Sequence, residues 1–109
     1  MNNPAIDLDK LRDMHSHAQA AAALLKALAN ENRLMILCTL ISGEMSVGDL
    51  NAGVPLSQSA LSQHLASLRE AGLVATRKEA QTVYYSLLGE EAQKIIAVLQ
   101  SIYCPTESL

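Results

Sequence analysis

Two cysteines, Cys38 and Cys104, are the residues of this 109-residue sequence that could form a reversible covalent bond. Two thiols are too few for the disulfide framework of a small secreted domain, so in a reducing compartment a bond between them would be transient or regulatory. Considered alone, Cys38 in its apolar run is expected to be a small core residue, whereas no core needs Cys104 in a polar tail. We expect an apolar setting at Cys38 and a helix C-terminus at Cys104 to raise both thiol pKa values.

A second candidate site follows Ser57, where Leu61, Leu65 and Leu68 mark the buried face of a predicted helix. The opposite face is small, polar and almost uncharged, whereas an ordinary surface helix carries Glu and Lys pairs there. Small side chains let a helix approach the major groove of DNA closely, and a glutamine can pair with adenine through two hydrogen bonds. The residues predicted to contact DNA from this helix are Gln58, Ser59, Ser62, Gln63 and His64.

The charge distribution favours the same segment. The whole chain has a net charge of −3, but residues 57–78 hold three bases and one acid for a net +2, which leaves −5 elsewhere. Arg77 and Lys78 fall in a predicted β-hairpin, from which they could reach phosphates or the flanking minor groove. The alternative is that these polar and basic residues only solvate a helix and protect an edge strand.

The order of predicted elements defines the fold class. Apolar residues at steps of three and four predict helices, and short β-branched and aromatic runs predict strands. We expect one long helix over 6–28, or two joined near His15 and His17, and then a central helix capped by Asn30 and stopped by Gly43. A short helix over 46–52 and a helix from Ser57 to about Gly72 should follow. A hairpin of strands 74–78 and 83–87 leads to a last helix with a surplus of apolar surface. This is a mainly α winged helix-turn-helix with a β-hairpin wing, in a single domain over residues 1–109.

Composition limits the other functional classes. The chain has no Trp, no Phe and three Tyr, so we expect an aliphatic, Ala-rich core that a partner chain would help to complete. No apolar run approaches the ~20 residues that cross a bilayer and no signal segment opens the chain, so we expect a cytoplasmic protein without a membrane partner. The sequence has no Cys-X-X-Cys motif, no glycine-rich phosphate loop and no Ser/His constellation, so we expect neither an enzyme nor a cofactor.

Residues 56–74, preceded by residues 28–37, resemble the ArsR/SmtB family of dimeric winged-helix repressors. The resemblance extends over nearly the whole chain. The resemblance implies a homodimer held together by its first and last helices. It also implies binding to a palindromic double-stranded DNA operator and release by an inducer.

The metal sites known in that family are not expected here. Ser46 stands where the arsenic, cadmium and lead sensors have a cysteine, and a hydroxyl is a poor ligand for a soft metal. Residues 90–104 hold no histidine, although zinc and nickel sensors place ligands on the last helix. His15 and His17, two residues apart, would point to different sides of a helix.

The positions of Cys38 and Cys104, together with the wing sequence over 77–85, are similar to the dithiol, sulfide-responsive branch of the family. For that branch the resemblance implies that persulfide or polysulfide donors bridge the two cysteines and that the oxidised form releases DNA. It leaves open a metal ion as inducer, or an anti-repressor role in which the protein displaces another repressor. A protein-interaction module without DNA binding is the alternative from a different class.

Overall fold

The structure, a computed structural model, describes residues 7–104. Its elements are α1 (Leu8–Leu28), α2 (Glu31–Leu40), β1 (Met45–Ser46), α3 (Val47–Gly53), α4 (Gln58–Glu70), β2 (Val74–Glu79), β3 (Thr82–Leu87) and α5 (Glu91–Tyr103). The predicted winged helix-turn-helix is confirmed, with α1 as one continuous helix. Residues 1–6 and 105–109 of the predicted domain, including the predicted helix start at Ile6, lie outside the described residues.

The two predicted helix caps are confirmed. The Asn30 side chain accepts hydrogen bonds from the backbone N–H groups of Asn32 (2.9 Å) and Arg33 (3.1 Å) at the start of α2. The Ser57 hydroxyl accepts one from the N–H of Ala60 (3.1 Å) at the start of α4. Such bonds satisfy donors that have no partner within the helix, so they fix where each helix begins.

The core lies between α2, α3, α4, the sheet and one side of α5. It is aliphatic, as expected, but the prediction of an Ala-rich core is wrong, since Ala92 is the one alanine among the buried residues of the described chain. Five alanines lie instead at exposed positions of α1, at 18 and 20–23. The buried side chains are Leu28, Ile36, Leu37, Leu40, Leu50, Val54, Leu61, Leu65, Leu68, Leu73, Val74, Ala92 and Ile96.

The three strands form an antiparallel sheet in the order β1-β3-β2. The β2–β3 hairpin, called the wing below, pairs Glu79 with Thr82 and so closes with a two-residue turn. Ala80 in that turn has φ +57°, a left-handed conformation that non-glycine residues rarely adopt. The short strand β1, which pairs Met45 with Tyr85, was not predicted, because two residues carry no periodicity.

Helix α1 extends away from the rest of the chain. Leu28 is its one buried residue, and Met14 is 60% exposed. The radius of gyration is 17.6 Å, whereas a compact chain of this length has roughly 13 Å. Within residues 7–104, no helix has the length and apolar character needed to span a membrane.

Candidate nucleic-acid interface and thiol pair

Helix α4 presents a small, polar surface to solvent. Leu61, Leu65 and Leu68 are buried against the core, which turns the other side of the helix outward. That side, called the recognition face below, consists of Gln58, Ser59, Ser62, Gln63, Ala66 and Ser67, all exposed. It carries no charge, so a nucleic acid could approach it without repulsion from a carboxylate. His64 is only half-buried, at the margin between this face and the core.

The turn before α4 is fixed by backbone hydrogen bonds and one buried side chain. Val54, which follows α3, is buried, and its N–H donates to the carbonyl of Leu50 at 2.9 Å. The amide of Asn51 donates to the carbonyl of Leu56 at 3.4 Å. These contacts hold α3 and α4 in one geometry, so the recognition face projects from a fixed support.

The wing places its two basic residues in different environments. Arg77 forms two hydrogen bonds with Glu44, from Nε to Oε2 (3.0 Å) and from Nη2 to Oε1 (2.8 Å). A third joins its Nη1 to Oε1 of Glu79 at 2.8 Å. The Arg77 hydrogen bond lowers the pKa of Glu44, while those to Glu44 and then Glu79 raise the pKa of Arg77. Lys78 is exposed and forms no ion pair with any residue from 7 to 104.

An open groove joins the recognition face to the sheet. It is lined by Ser62, Ala66, Ser67, Arg69, Glu70 and Tyr85. Glu44, Tyr84 and Tyr85 were not among the predicted site residues. The two tyrosines are adjacent in a predicted strand, and this was the sequence feature that could have indicated them as site residues. No local pattern connects Glu44 with a wing residue 33 positions later.

Both cysteines are exposed and unbonded. The prediction that Cys38, considered alone, is a core residue is wrong, because Ile36, Leu37 and Leu40 face the core and leave Cys38 exposed. Cys104 ends α5, and its N–H donates to the carbonyl of Gln100 at 2.7 Å. The pKa of Cys38 is raised, as expected, first by partial burial and then by the charge of Cys104. The packing of α2 against α5 therefore brings the two thiols into each other's electrostatic range.

The described residues contain no group of three or more His, Cys, Asp or Glu side chains placed to hold a metal ion. The Ser46 hydroxyl, at the position where some sensors have a cysteine, accepts a hydrogen bond from the N–H of Asp49 at 3.1 Å and caps α3. His15 and His17 are both exposed on α1.

Comparison with known proteins connects this arrangement to a group of regulators. Residues 30–76 match the family model described as "Bacterial regulatory protein, arsR family". The transcriptional activator HlyU of Vibrio cholerae serotype O1 is 55% identical over 94 residues, which cover 86% of this chain and 87% of the relative. The biofilm growth-associated repressor of Agrobacterium fabrum is 47% identical over 97 residues, covering 88% of this chain and 83% of the relative.

Solved structures give the same result. The structure described as reduced HlyU from Vibrio cholerae superposes with a TM-score of 0.80 at 55% identity and covers 85% of this chain and 98% of that one. A homodimeric winged helix-turn-helix DNA-binding domain from Mycobacterium bovis, a possible ArsR-family regulator, superposes with a TM-score of 0.69 at 29% identity. That match covers 97% of this chain and 93% of the other. The relatives named here are regulators rather than enzymes, in agreement with the sequence-based expectation.

Proposed function

The chain belongs to the ArsR family of bacterial regulatory proteins, and on this basis we propose that it is a homodimeric transcriptional regulator. It binds operator DNA in the cytoplasm, and the oxidation state of Cys38 and Cys104 controls that binding. The observation that carries the DNA-binding part is the uncharged, small-residue recognition face of α4, held by a rigid turn next to a wing.

The recognition face has the chemistry that direct reading of bases requires. The side-chain NH₂ of Gln63 can donate to N7 of adenine while its carbonyl oxygen accepts from the N6 amino group, which makes a bidentate pair. The hydroxyls of Ser59 and Ser62 can form hydrogen bonds with base edges or phosphates. Gln58 lies at the N-terminal end of α4, where contacts from a recognition helix concentrate. His64, half-buried, is better placed to pack at the margin of this face. Lys78 supplies an exposed positive charge for a phosphate.

A second copy of the chain is the proposed occupant of the apolar surface on α1 and α5. Ile102 and Tyr103 on α5 are 60% and 77% exposed, and α1 adds Leu8, Leu11, Met14 and Leu25. A monomer rarely leaves so many large apolar side chains in water. The protruding α1, which has almost no core of its own, is explained if it packs on a partner. A two-fold dimer presents two recognition faces, which is the geometry of a palindromic operator.

The thiol pair is the proposed sensor. A relative described in its reduced form supports a redox function, and here the charge of one thiol already affects the other. Both thiols are exposed, so either can attack first, and the two orders give the same products. In one order, Cys104 takes the outer sulfur of a persulfide RSSH and releases RSH; Cys38 then attacks the inner sulfur of this cysteine persulfide, forming a disulfide and releasing H₂S. If each cysteine first becomes a persulfide, their reaction gives a trisulfide and H₂S.

A bridge would act through the dimer. It would tie the end of α5 to the last turn of α2, while α5 also supplies the proposed dimer surface. The bridge lowers DNA affinity only if it is more strained in the DNA-bound arrangement of the two protomers than in the free one. Helix α5 can produce such a difference in strain, because it packs on the core and also supplies the proposed dimer surface.

The test uses a duplex selected from a random-sequence library by the reduced protein. Binding is measured by fluorescence anisotropy before and after treatment with glutathione persulfide, hydrogen peroxide or zinc in separate samples, and intact-protein mass spectrometry follows the products. We expect the persulfide to weaken binding in the wild type and not in Cys38→Ser or Cys104→Ser. The same response in both variants would rule out the thiol pair, and a response to zinc alone would favour a metal inducer.

The direction of regulation is a separate question, because one relative is named an activator and another a repressor. Transcription in vitro from a promoter carrying the selected duplex distinguishes the two. A repressor lowers transcript yield directly. An anti-repressor changes it only when a second DNA-binding protein occupies the same site.

A further inference from the structure

Arg77 is held by three side chains that come from three places in the chain. Glu44 precedes β1, Glu79 lies on β2 with Arg77, and Tyr84 lies on β3 directly opposite Arg77. The guanidinium carbon is 4.5 Å from the centre of the Tyr84 ring. We call this group of four residues the clamp. Because β3 separates β1 from β2 in the sheet, the Arg77 side chain crosses the middle strand to reach Glu44.

The clamp is not a free positive charge. One guanidinium faces two carboxylates, so the group has a net charge of −1, and three of the five N–H groups of Arg77 are already used. A phosphate would have to use the two remaining N–H groups beside two carboxylates, or displace the bidentate Glu44 carboxylate, which is a strong geometry for arginine. Lys78 lies one residue further along the strand, so its side chain leaves the opposite face of the wing. It is therefore the wing cation that remains available to DNA.

The clamp also supplies an attachment for the outer part of the wing. Val74, Tyr85 and Leu87 pack the inner part on the core, whereas residues 77–82 are exposed. The sheet pairs the wing with β1, which is only two residues long. Two strands joined by a tight turn are marginal by themselves, and their direction is set by whatever they contact. The ion pair from Arg77 to Glu44 is partly exposed, with side-chain exposures of 49% and 35%, so it adds little to overall stability. Its effect is on where the wing points.

From this arrangement we propose that Glu44 is a positioning residue for DNA binding: through Arg77 it fixes the wing so that Lys78 meets the phosphate backbone. The proposal rests on the proposed DNA binding. It replaces the prediction that Arg77 itself contacts phosphate. The two assignments differ in how affinity depends on salt, because each lysine or arginine that contacts a phosphate contributes about one unit to the slope of log K against log salt.

The experiment measures affinity for the selected duplex, and its salt slope, for Glu44→Gln, Arg77→Ala and the double variant. The positioning role predicts a roughly threefold to tenfold loss in each single variant and no further loss in the double variant. Because the Lys78 contact is weakened, the salt slope flattens by no more than it does in Lys78→Ala. Lys78→Ala is expected to flatten the slope by about one unit. Glu90→Gln, which breaks the exposed ion pair of Glu90 with Lys94 on α5, serves as the matched control and is expected to change affinity less than about twofold.

The opposite results overturn the proposal. If Arg77 contacts phosphate, Glu44→Gln releases it, so affinity rises and the slope steepens in Glu44→Gln, opposite to the effect of Arg77→Ala. Arg77→Lys keeps the charge but loses the two-pronged geometry; the positioning role predicts weakened binding for it, and a phosphate role predicts nearly full binding. Thermal unfolding of each variant verifies folding. If the wild type selects no duplex at all, the proposed DNA binding is wrong. If the wild type binds and Glu44→Gln binds equally well, only the positioning role of Glu44 is wrong.

Discussion

Burial raises the pKa of Cys38 in α2, and the charge of Cys104 at the end of α5 raises it further. The two thiols are far apart in sequence, and the packing of α2 against α5 brings them into electrostatic range. Because the pKa of Cys38 is raised in the folded state, its contribution to the free energy of unfolding is fully present at pH values below its unfolded-state pKa of about 8.5. That contribution is lost as the pH rises through the folded-state pKa.

Cys104→Ser is expected to make Cys38 more reactive. The substitution removes one of the two causes of the raised pKa, so a larger fraction of Cys38 is thiolate near pH 8.5 and iodoacetamide alkylates it faster. The rate is followed by mass spectrometry of the Cys38 peptide over about pH 7–10. Ser101→Ala, on the exposed last turn of α5, is the control and should leave the rate unchanged. Equal rates in Cys104→Ser and wild type would contradict the electrostatic contact.

Gln63→Ala is expected to weaken binding to the selected duplex by about 1–3 kcal/mol, the contribution of one bidentate base contact. Binding to random DNA should change little, since Gln63 carries no charge. Anisotropy titrations against both duplexes provide the measurement, with Gln93→Ala on the exposed side of α5 as control. Equal losses on the two duplexes would mean that Gln63 contacts the backbone rather than a base.

Ile102→Asp is expected to separate the dimer without unfolding the chain. Ile102 is exposed within one protomer, so a charge there does not enter the core, but it would be buried at the proposed seam. The substitution is present in both protomers, so the seam loses the burial of two large aliphatic side chains, which corresponds to a roughly hundredfold to ten-thousandfold weaker dimer. Sedimentation velocity over a concentration series measures this, and Gln93→Asp provides the charge-matched control. An unchanged sedimentation profile would place the dimer interface elsewhere.

Ala80→Gly is expected to raise the free energy of unfolding by about 0.5–1 kcal/mol. Ala80 has φ +57° in the wing turn, and glycine adopts that conformation without the Cβ clash. The gain is reduced because glycine is also freer in the unfolded chain. Urea unfolding monitored by circular dichroism gives the value, with Ala66→Gly in α4 expected to destabilise by about 1 kcal/mol. A loss of stability in Ala80→Gly would show that the turn is not strained.

The sequence by itself determined the features that depend on neighbours within one or two helical turns. Asn30 and Ser57 begin helices because their side chains bond to donors two or three residues ahead, and the spacing of Leu61, Leu65 and Leu68 decides which face of α4 is exposed. The fold class and the recognition face follow from these local rules. Family resemblance added the pairing of cysteines, which no spacing implied.

The tertiary structure decided what depends on contacts between distant segments. That Arg77 reaches phosphate stays a prediction, and it was the β1-β3-β2 order that brought Glu44 within hydrogen-bonding distance of Arg77. Cys38 stands in an apolar run, but only packing determines which side of α2 meets the core. A charge or thiol in a sequence has many possible partners, and the long-range contact that selects one of them has no local signature.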